Sequence, residues 1–328
     1  MNEQRAFIAG VGFAVPDKVL TNRDLEKMVA TSDEWIRTRT GISERRIAEQ
    51  GTATSDLGAS ASLAALKRAG IRADELDLII AATSTPDMPL PSCACFIQQK
   101  IGAVKAAAFD LAAACAGFVY GLVTAEQFIR NGHYKNILVV GADVISPYID
   151  WTDRSTCVLF GDGAGAAVLK AGKSGGILSS VLGSDGKYAD LLRISCGGSR
   201  TPASHASVDA KGHFLKMTGG DVFKLAVRGM SDAVTQALKK AGIKKEEVVC
   251  FIPHQANQRI IDAVAERLEL PKDKIFVNLQ KYGNTSAASC AIALCEALDA
   301  GKILKKDKVV LATFGSGLVW GALVMEWV

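Results

Sequence analysis

Three residues carry most of the chemistry this sequence could perform. In "FDLAAACAGF" (109–118), Cys115 stands among alanines and is followed by Gly117. Such small side chains let a ligand or another backbone come close. A thiol where a strand gives way to a helix feels the positive end of the helix dipole, which favours thiolate. Thiolate is the nucleophile that accepts acyl groups from thioesters. His254 in "PHQANQR" and Asn284 in "YGNTSAAS" offer N–H donors suited to an oxyanion or an enolate. Each residue alone also has a purely structural reading: a small core thiol, a helix-cap histidine, a turn asparagine.

Their settings are alike. Cys115 follows the expected strand "AAAFDL" and precedes a helix from about 117 to 129. His254 follows "VVCFI" and precedes a helix over 258–268. Asn284 follows "KIFVNL" and precedes a helix from about 286 to 298. Ligands of α/β sheets bind where strands end and helices begin.

The chain also repeats itself. "ALKRAGIRADELDLII" (65–80) and "ALKKAGIKKEEVVCFI" (237–252) match at an offset of 172, with six of the first seven positions identical. Both read as a helix, a glycine stop at Gly70 or Gly242, an acidic turn and a buried strand. A weaker match, 107–143 with 275–313, has an offset near 169 and sets Cys115 opposite Asn284. The expected fold is therefore α/β in two duplicated halves, 1–174 carrying the cysteine and 175–328 carrying the histidine and asparagine. Alternating strands and helices favour mostly parallel sheets between helix layers, and no linker parts the halves.

The 328 residues are 49% hydrophobic and 22% charged, enough for a large core. A net charge of +4 is too mild to imply nucleic acid. The N-terminal "AFIAGVGFAV" lacks the form of an export signal and runs into Pro16. The apolar C-terminus is broken at Gly315–Gly317 and reads as two buried strands around a turn rather than a membrane span. Eight cysteines without a CxxC pair, with only four histidines, argue against a zinc cluster and for reduced cytoplasmic thiols. "GDGAGAAV" (161–168) has G-x-G-x-G spacing and opens no clear helix, which argues against a dinucleotide site.

"TSDEWIRTRTGI", "DLAAACAGF", "FGDGAGAAV", "PHQAN" and "GNTSAAS" together resemble β-ketoacyl-acyl-carrier-protein synthase III, a condensing enzyme of the thiolase-like superfamily. The resemblance runs from about Phe7 to the C-terminus. It implies a five-layered αβαβα fold and a Cys115–His254–Asn284 triad. The implied reaction is ping-pong. Cys115 takes an acyl group from a short acyl-CoA; malonyl-acyl-carrier protein is then decarboxylated to an enolate held by His254 and Asn284. Carbanion attack yields β-ketoacyl-carrier protein, with the oxyanion on the N–H groups of Cys115 and Ser316. No cofactor or metal is implied. The implied partners are acyl-CoA, an acidic acyl-carrier protein and a second copy of the chain, with neither nucleic acid nor a membrane.

By the same resemblance, Trp35 and Arg154 offer faces for the CoA adenine, Arg39 a phosphate contact, and Gly219 and Asn257 pantetheine contacts. Thr31 and Glu34 have capping-box spacing. Leu90, Phe160 and Phe314 are implied in the acyl pocket, with Leu318 nearby. Leu90 stands where many relatives carry an aromatic residue, so longer or branched primers become admissible. Lys224, Arg228, Arg259 and Arg267 are the candidate carrier-protein dock, weakened by Glu266 beside Arg267. Each of these also has a plain structural reading. Secondary-metabolism synthases or acyltransferases with the same triad remain open. Thiolases need a second catalytic cysteine, whereas Cys290 and Cys295 fall within a helix. A non-enzymatic partner subunit would lack the nucleophile.

Overall fold

The computed structural model describes residues 4–328. The first sheet contains β1 (Arg5–Ala14), β2 (Leu78–Ala82), β3 (Ala107–Leu111), β4 (Asn136–Asp143) and β5 (Gly163–Gly172), in spatial order β1-β5-β4-β2-β3. The second contains β6 (Gly176–Ser184), β7 (Val248–Pro253), β8 (Lys308–Gly315) and β9 (Val319–Glu326), in order β7-β8-β9-β6. The sheets are mixed, which corrects the expectation of mostly parallel ones. β2 runs parallel to β3 and β4, and β7 to β8, while β1, β5, β6 and β9 pair antiparallel. The reason is local at the C-terminus. The turn between β8 and β9 is too short for a crossover, so those strands must run antiparallel.

The main helices are α1 (Asp33–Thr40), α2 (Thr54–Ala69), α3 (Cys93–Ile101), α4 (Gly117–Arg130), α5 (Gly219–Ala241), α6 (Gln258–Leu268) and α7 (Ser289–Asp299). α2 and α3 cover the outer face of the first sheet, and α5 and α6 that of the second. Between the sheets lie α4 and α7, buried on nearly all sides in one apolar core. Five layers, αβαβα, result.

The repeat is physical. α2 and α5 both end on a left-handed glycine, Gly70 at φ +65° and Gly242 at φ +68°, where a Cβ would be strained. Each leads through a 3-10 turn, Ala73–Glu75 or Lys245–Glu247, into β2 or β7. The offset of 172 also relates the starts of β4 and β8, and of α4 and α7. Cys115 therefore corresponds to Ala287, and the expected pairing of Cys115 with Asn284 is corrected. The difference arises one element earlier. "KIFVNL" forms no full strand; it touches β7 through the single bridge Phe251–Ile275. Its next donors are diverted: Asn278 N–H donates to Gln255 Oε1 (3.0 Å) and Asn278 Nδ2 to Glu296 (2.9 Å). A helical turn, Leu279–Tyr282, follows, and Asn284 lies in the residues added before α7.

Candidate active site

Cys115 lies in a 3-10 turn, Ala114–Ala116, immediately before α4. The matching turn Ser286–Ala288 precedes α7 and packs against it. Ala114 (φ +44°) and Ser286 (φ +50°) both take a left-handed backbone, strained for residues with a Cβ. The two turns bring Cys115 Sγ to 3.4 Å from Ser286 Oγ. Burial pushes the Cys115 thiol up to about 12; Ser286 pulls it down and buried Asp143 adds to the rise. Desolvation thus opposes the helix field at this position.

His254 directly follows β7, its N–H donating to Ala312 O at 2.7 Å. Its Nδ1 is 2.6 Å from Ser289 Oγ in the first turn of α7. Burial lowers its pKa to about 4, so the ring is neutral at pH 7.

Asn284 is fixed by its neighbours. Its N–H donates to Leu159 O (2.8 Å), and its carbonyl accepts from Gly161 N–H (3.1 Å). Its Oδ1 accepts the Ser286 N–H at 2.9 Å, which turns Nδ2 away as a free donor. Beneath this bridge lies Arg45, fully buried and donating to Val158 O (2.8 Å) and Asn22 Oδ1 (2.9 Å). A Cβ at Gly161 would meet Arg45 Cβ at 3.0 Å, and one at Gly283 would meet it at 3.3 Å. The sequence reading did not single out Arg45.

Cys115, His254 and Asn284 line one cavity of about 440 Å³, together with Phe160, Phe314, Trp35, Arg154, Gly219, Asn257 and Arg259. A second cavity of about 240 Å³ also reaches Cys115. Its apolar walls are Ile145, Phe160, Leu192, Ile194 and Leu215, with Ser84, Thr85, Ser286 and Ser316. Leu192 and Leu215 belong to the small antiparallel pair Leu192–Ile194 and Leu215–Met217, the counterpart at nearly the same offset of Val19–Thr21 paired with Glu44–Arg46. The sequence reading missed these walls. Phe314 lies on the larger cavity alone of the two, Leu318 on neither, and Leu90 is 83% exposed, away from both.

Gly315 lies against the backbone of Cys115. A Cβ there would be 2.7 Å from Cys115 N. Ser316 lines the smaller cavity and its hydroxyl donates to Leu192 O.

At the mouth of the larger cavity Arg154 stacks over Trp35, 4.6 Å from the ring centroid. α1, which carries Trp35, is capped by Ser32, which accepts from Trp35 N–H at 3.1 Å. The expected Thr31–Glu34 box is absent, because the helix begins one residue later than expected. Arg39 is exposed, and its carbonyl accepts from Asn257 Nδ2 (3.2 Å). Asn257 also caps α6 through Arg259 N–H (2.9 Å).

Lys224, Arg228, Arg259 and Arg267 are all exposed along α5 and α6. Arg228 and Arg267 share Asp232, at 3.6 and 3.0 Å. Arg259 lies over Phe223 at 5.7 Å. "GDGAGAAV" leads into β5, and its glycines admit α7: a Cβ at Gly165 would be 2.4 Å from Ala291 Cβ. Among the described residues no cluster of three or more His, Cys, Asp or Glu has metal-binding geometry, and no helix is long and apolar enough to cross a membrane.

Residues 109–186 match the family model for 3-oxoacyl-[acyl-carrier-protein] synthase III, and residues 238–327 match the model for its C-terminal part. The chain is 54% identical over 323 residues to the β-ketoacyl-[acyl-carrier-protein] synthase III of Caldanaerobacter subterraneus subsp. tengcongensis, covering 98% of each chain. Its fold superposes with a TM-score of 0.91 on the 3-oxoacyl-[acyl-carrier-protein] synthase III of Aquifex aeolicus, at 47% identity and covering 98% of this chain and 100% of that one. A priming β-ketosynthase of the R1128 polyketide pathway is also similar, at 36% identity and a TM-score of 0.92, with 100% and 98% covered.

Proposed function

The chain belongs to the 3-oxoacyl-[acyl-carrier-protein] synthase III family, and from that membership we infer that it condenses a short acyl-CoA with malonyl-acyl-carrier protein. The product is β-ketoacyl-acyl-carrier protein, the first condensation of fatty acid synthesis. The higher identity to the synthase III relative favours this reading over polyketide priming. The two halves of the catalyst are taken as 1–174 and 175–328, meeting at the paired turns of Cys115 and Ser286.

The observation that carries the assignment of roles is the lining of one cavity by a buried thiol, a neutral imidazole and an asparagine with its amide nitrogen free. In the first half-reaction Cys115 attacks the acyl-CoA carbonyl. The carbon–sulfur bond to Cys115 forms and that to CoA breaks. The thiol proton ends on the CoA thiol, so no net proton is exchanged. The high thiol pKa makes this step depend on a bound substrate, since free thiolate is scarce. The tetrahedral oxyanion is assigned to the N–H groups of Cys115 and Ser316, which only a residue without Cβ at 315 leaves accessible.

In the second half-reaction the malonyl thioester carbonyl accepts hydrogen bonds from Asn284 Nδ2 and His254. Both donors are neutral, so they stabilise the negative enolate oxygen that develops as carbon dioxide leaves without pairing with the carboxylate. The enolate carbon attacks the acyl-Cys115 carbonyl, and Cys115 sulfur departs and takes up one proton. No cofactor enters either step.

The larger cavity is assigned to CoA and the carrier's pantetheine arm, with Trp35 and Arg154 parting to admit the adenine, and Arg39, Gly219 and Asn257 along the arm. The smaller cavity is assigned to the acyl group. Leu90 is too far exposed to line it within one chain, and we assign it a contact made from a second copy. Two features support a homodimer: β3 is an edge strand with Phe109 partly exposed, and Met88 and Leu90 stand out nearby. The reaction belongs in the cytoplasm, where acyl-CoA and carrier protein meet. Intact-protein mass after mixing with acyl-CoA tests the reading: the acyl adduct forms on the native chain and is absent from Cys115→Ala. An adduct that persists in that variant would overturn it.

A further inference from the structure

The Ser289–His254 contact carries a consequence for the second half-reaction. An imidazole can stabilise an enolate only if the nitrogen facing it holds the proton. Which nitrogen does so is set by what the other one meets. His254 Nδ1 meets the Ser289 hydroxyl at 2.6 Å, and both residues are buried. A hydroxyl can donate or accept, so the direction depends on where its hydrogen can go. Were Nδ1 protonated, Ser289 would have to accept from it, and its own hydrogen would need another acceptor. The nearby alternative is the sulfur of Cys290, a weak acceptor. That thiol itself points toward the Ile252 and Ala312 carbonyls, at 3.9 and 3.8 Å. A bare Nδ1 is the far better acceptor.

We propose that Ser289 is a positioning residue: its hydroxyl donates to His254 Nδ1 and so keeps the proton on Nε2, the nitrogen available to the malonyl thioester oxygen. Ser289 touches no substrate and acts only through His254. It stands three residues past Ser286 in "GNTSAAS", so one turn-and-helix segment orients both donors. Ser286 N–H occupies the acceptor atom of Asn284, and Ser289 occupies the acceptor atom of His254. The inference rests on the role proposed above for His254, but its first readout does not.

The test uses the full-length protein labelled with 15N-histidine. Four histidines are present, and His254 is assigned by comparison with His254→Gln. At pH 7.5 the native ring is expected in the Nε2–H form, with an unprotonated Nδ1. In Ser289→Ala the two forms are expected to mix. Condensation should then fall about tenfold or more, as it does when the partner that orients a functional histidine is removed, while acyl-Cys115 formation stays within about twofold. A native Nδ1–H signature would overturn the proposal. So would Ser289→Ala keeping both the Nε2–H signature and the native condensation rate. Should the native enzyme condense no primer at all, the functional reading falls instead, and the tautomer is still decided by the spectrum.

Discussion

The backbone N–H of Ser286 donates to Oδ1 of Asn284 across 2.9 Å and thereby fixes which end of the asparagine amide is free. Asn284→Asp preserves that contact, because a carboxylate oxygen accepts as well as an amide oxygen does. It removes the Nδ2 donor and places negative charge where an enolate must form. Malonyl-acyl-carrier protein decarboxylation is expected to fall by about 100-fold or more, the usual effect of losing an oxyanion donor. Acyl-Cys115 formation is expected to stay near native. Separate assays of acyl transfer and of carbon dioxide release check this, and equal losses in both would refute the division of labour.

The raised thiol pKa makes a kinetic prediction for Cys115. With the pKa pushed up by burial, little thiolate is present at pH 7. Alkylation of the free enzyme by iodoacetamide should be slow at pH 7 and rise about tenfold per pH unit through pH 9. The sign follows from the direction of the shift: a thiol pushed up by burial gains reactive form only as pH climbs toward its pKa. A plateau near pH 7 would mean that the α4 N-terminus overcomes desolvation.

Gly315 has no freedom to change. Its missing Cβ would lie 2.7 Å from the Cys115 nitrogen, against backbone rather than a yielding side chain. Gly315→Ala is expected to displace the nucleophile turn and lower acyl-Cys115 formation by roughly 100-fold, since the oxyanion donor moves with that turn. Both half-reactions should suffer, in contrast to Asn284→Asp. Native acyl transfer in this variant would remove the Cys115 N–H from the mechanism.

That Cys115, His254 and Asn284 would meet at one cavity was readable in the sequence, because each precedes a helix N-terminus at one end of the sheets. The repeat was readable because both copies need a left-handed glycine at the same point, Gly70 and Gly242. The register around Asn284 was not, because extra residues are fitted into the second copy after a segment that side-chain contacts keep from forming a full strand. The acyl cavity was hidden for another reason. Leu192 and Leu215 come from a short two-stranded pair, and nothing in their local sequence separates a cavity wall from a core. Arg45 was invisible because its partners, Val158 O and Asn22, are distant in the chain.

The basic rim should not act uniformly. Arg267 and Arg228 share Asp232, so their charge is partly compensated, while Arg259 lies beside the cavity mouth. Arg259→Glu is expected to raise KM for malonyl-acyl-carrier protein roughly tenfold at low salt, with little change for acyl-CoA in the transfer assay. Arg267→Glu should have a smaller effect. The differences should shrink at high ionic strength. An unchanged carrier KM for Arg259→Glu would remove it from the dock.

Primer choice depends on the smaller cavity. Its 240 Å³ exceeds what an acetyl group needs, and apolar side chains (Ile145, Phe160, Leu192, Ile194 and Leu215) form one part of its wall, beside the polar Ser84, Thr85, Arg193, Ser286 and Ser316. Leu90 closes nothing within its own chain, and as a leucine it fills less space than an aromatic side chain would. Butyryl- and isobutyryl-CoA are therefore expected to acylate Cys115 within about tenfold of the acetyl-CoA rate, because hydrophobic pockets discriminate only modestly per methylene. Leu215→Phe should fill the cavity and cost the longer primers roughly 10- to 100-fold while sparing acetyl. Leu90→Phe should do the same only if a second copy supplies that residue, so its effect should be lost in a monomeric variant such as Phe109→Glu. Intact-mass kinetics with the three CoA esters separate these cases. A native enzyme strict for acetyl-CoA would mean that the cavity is closed when substrate binds.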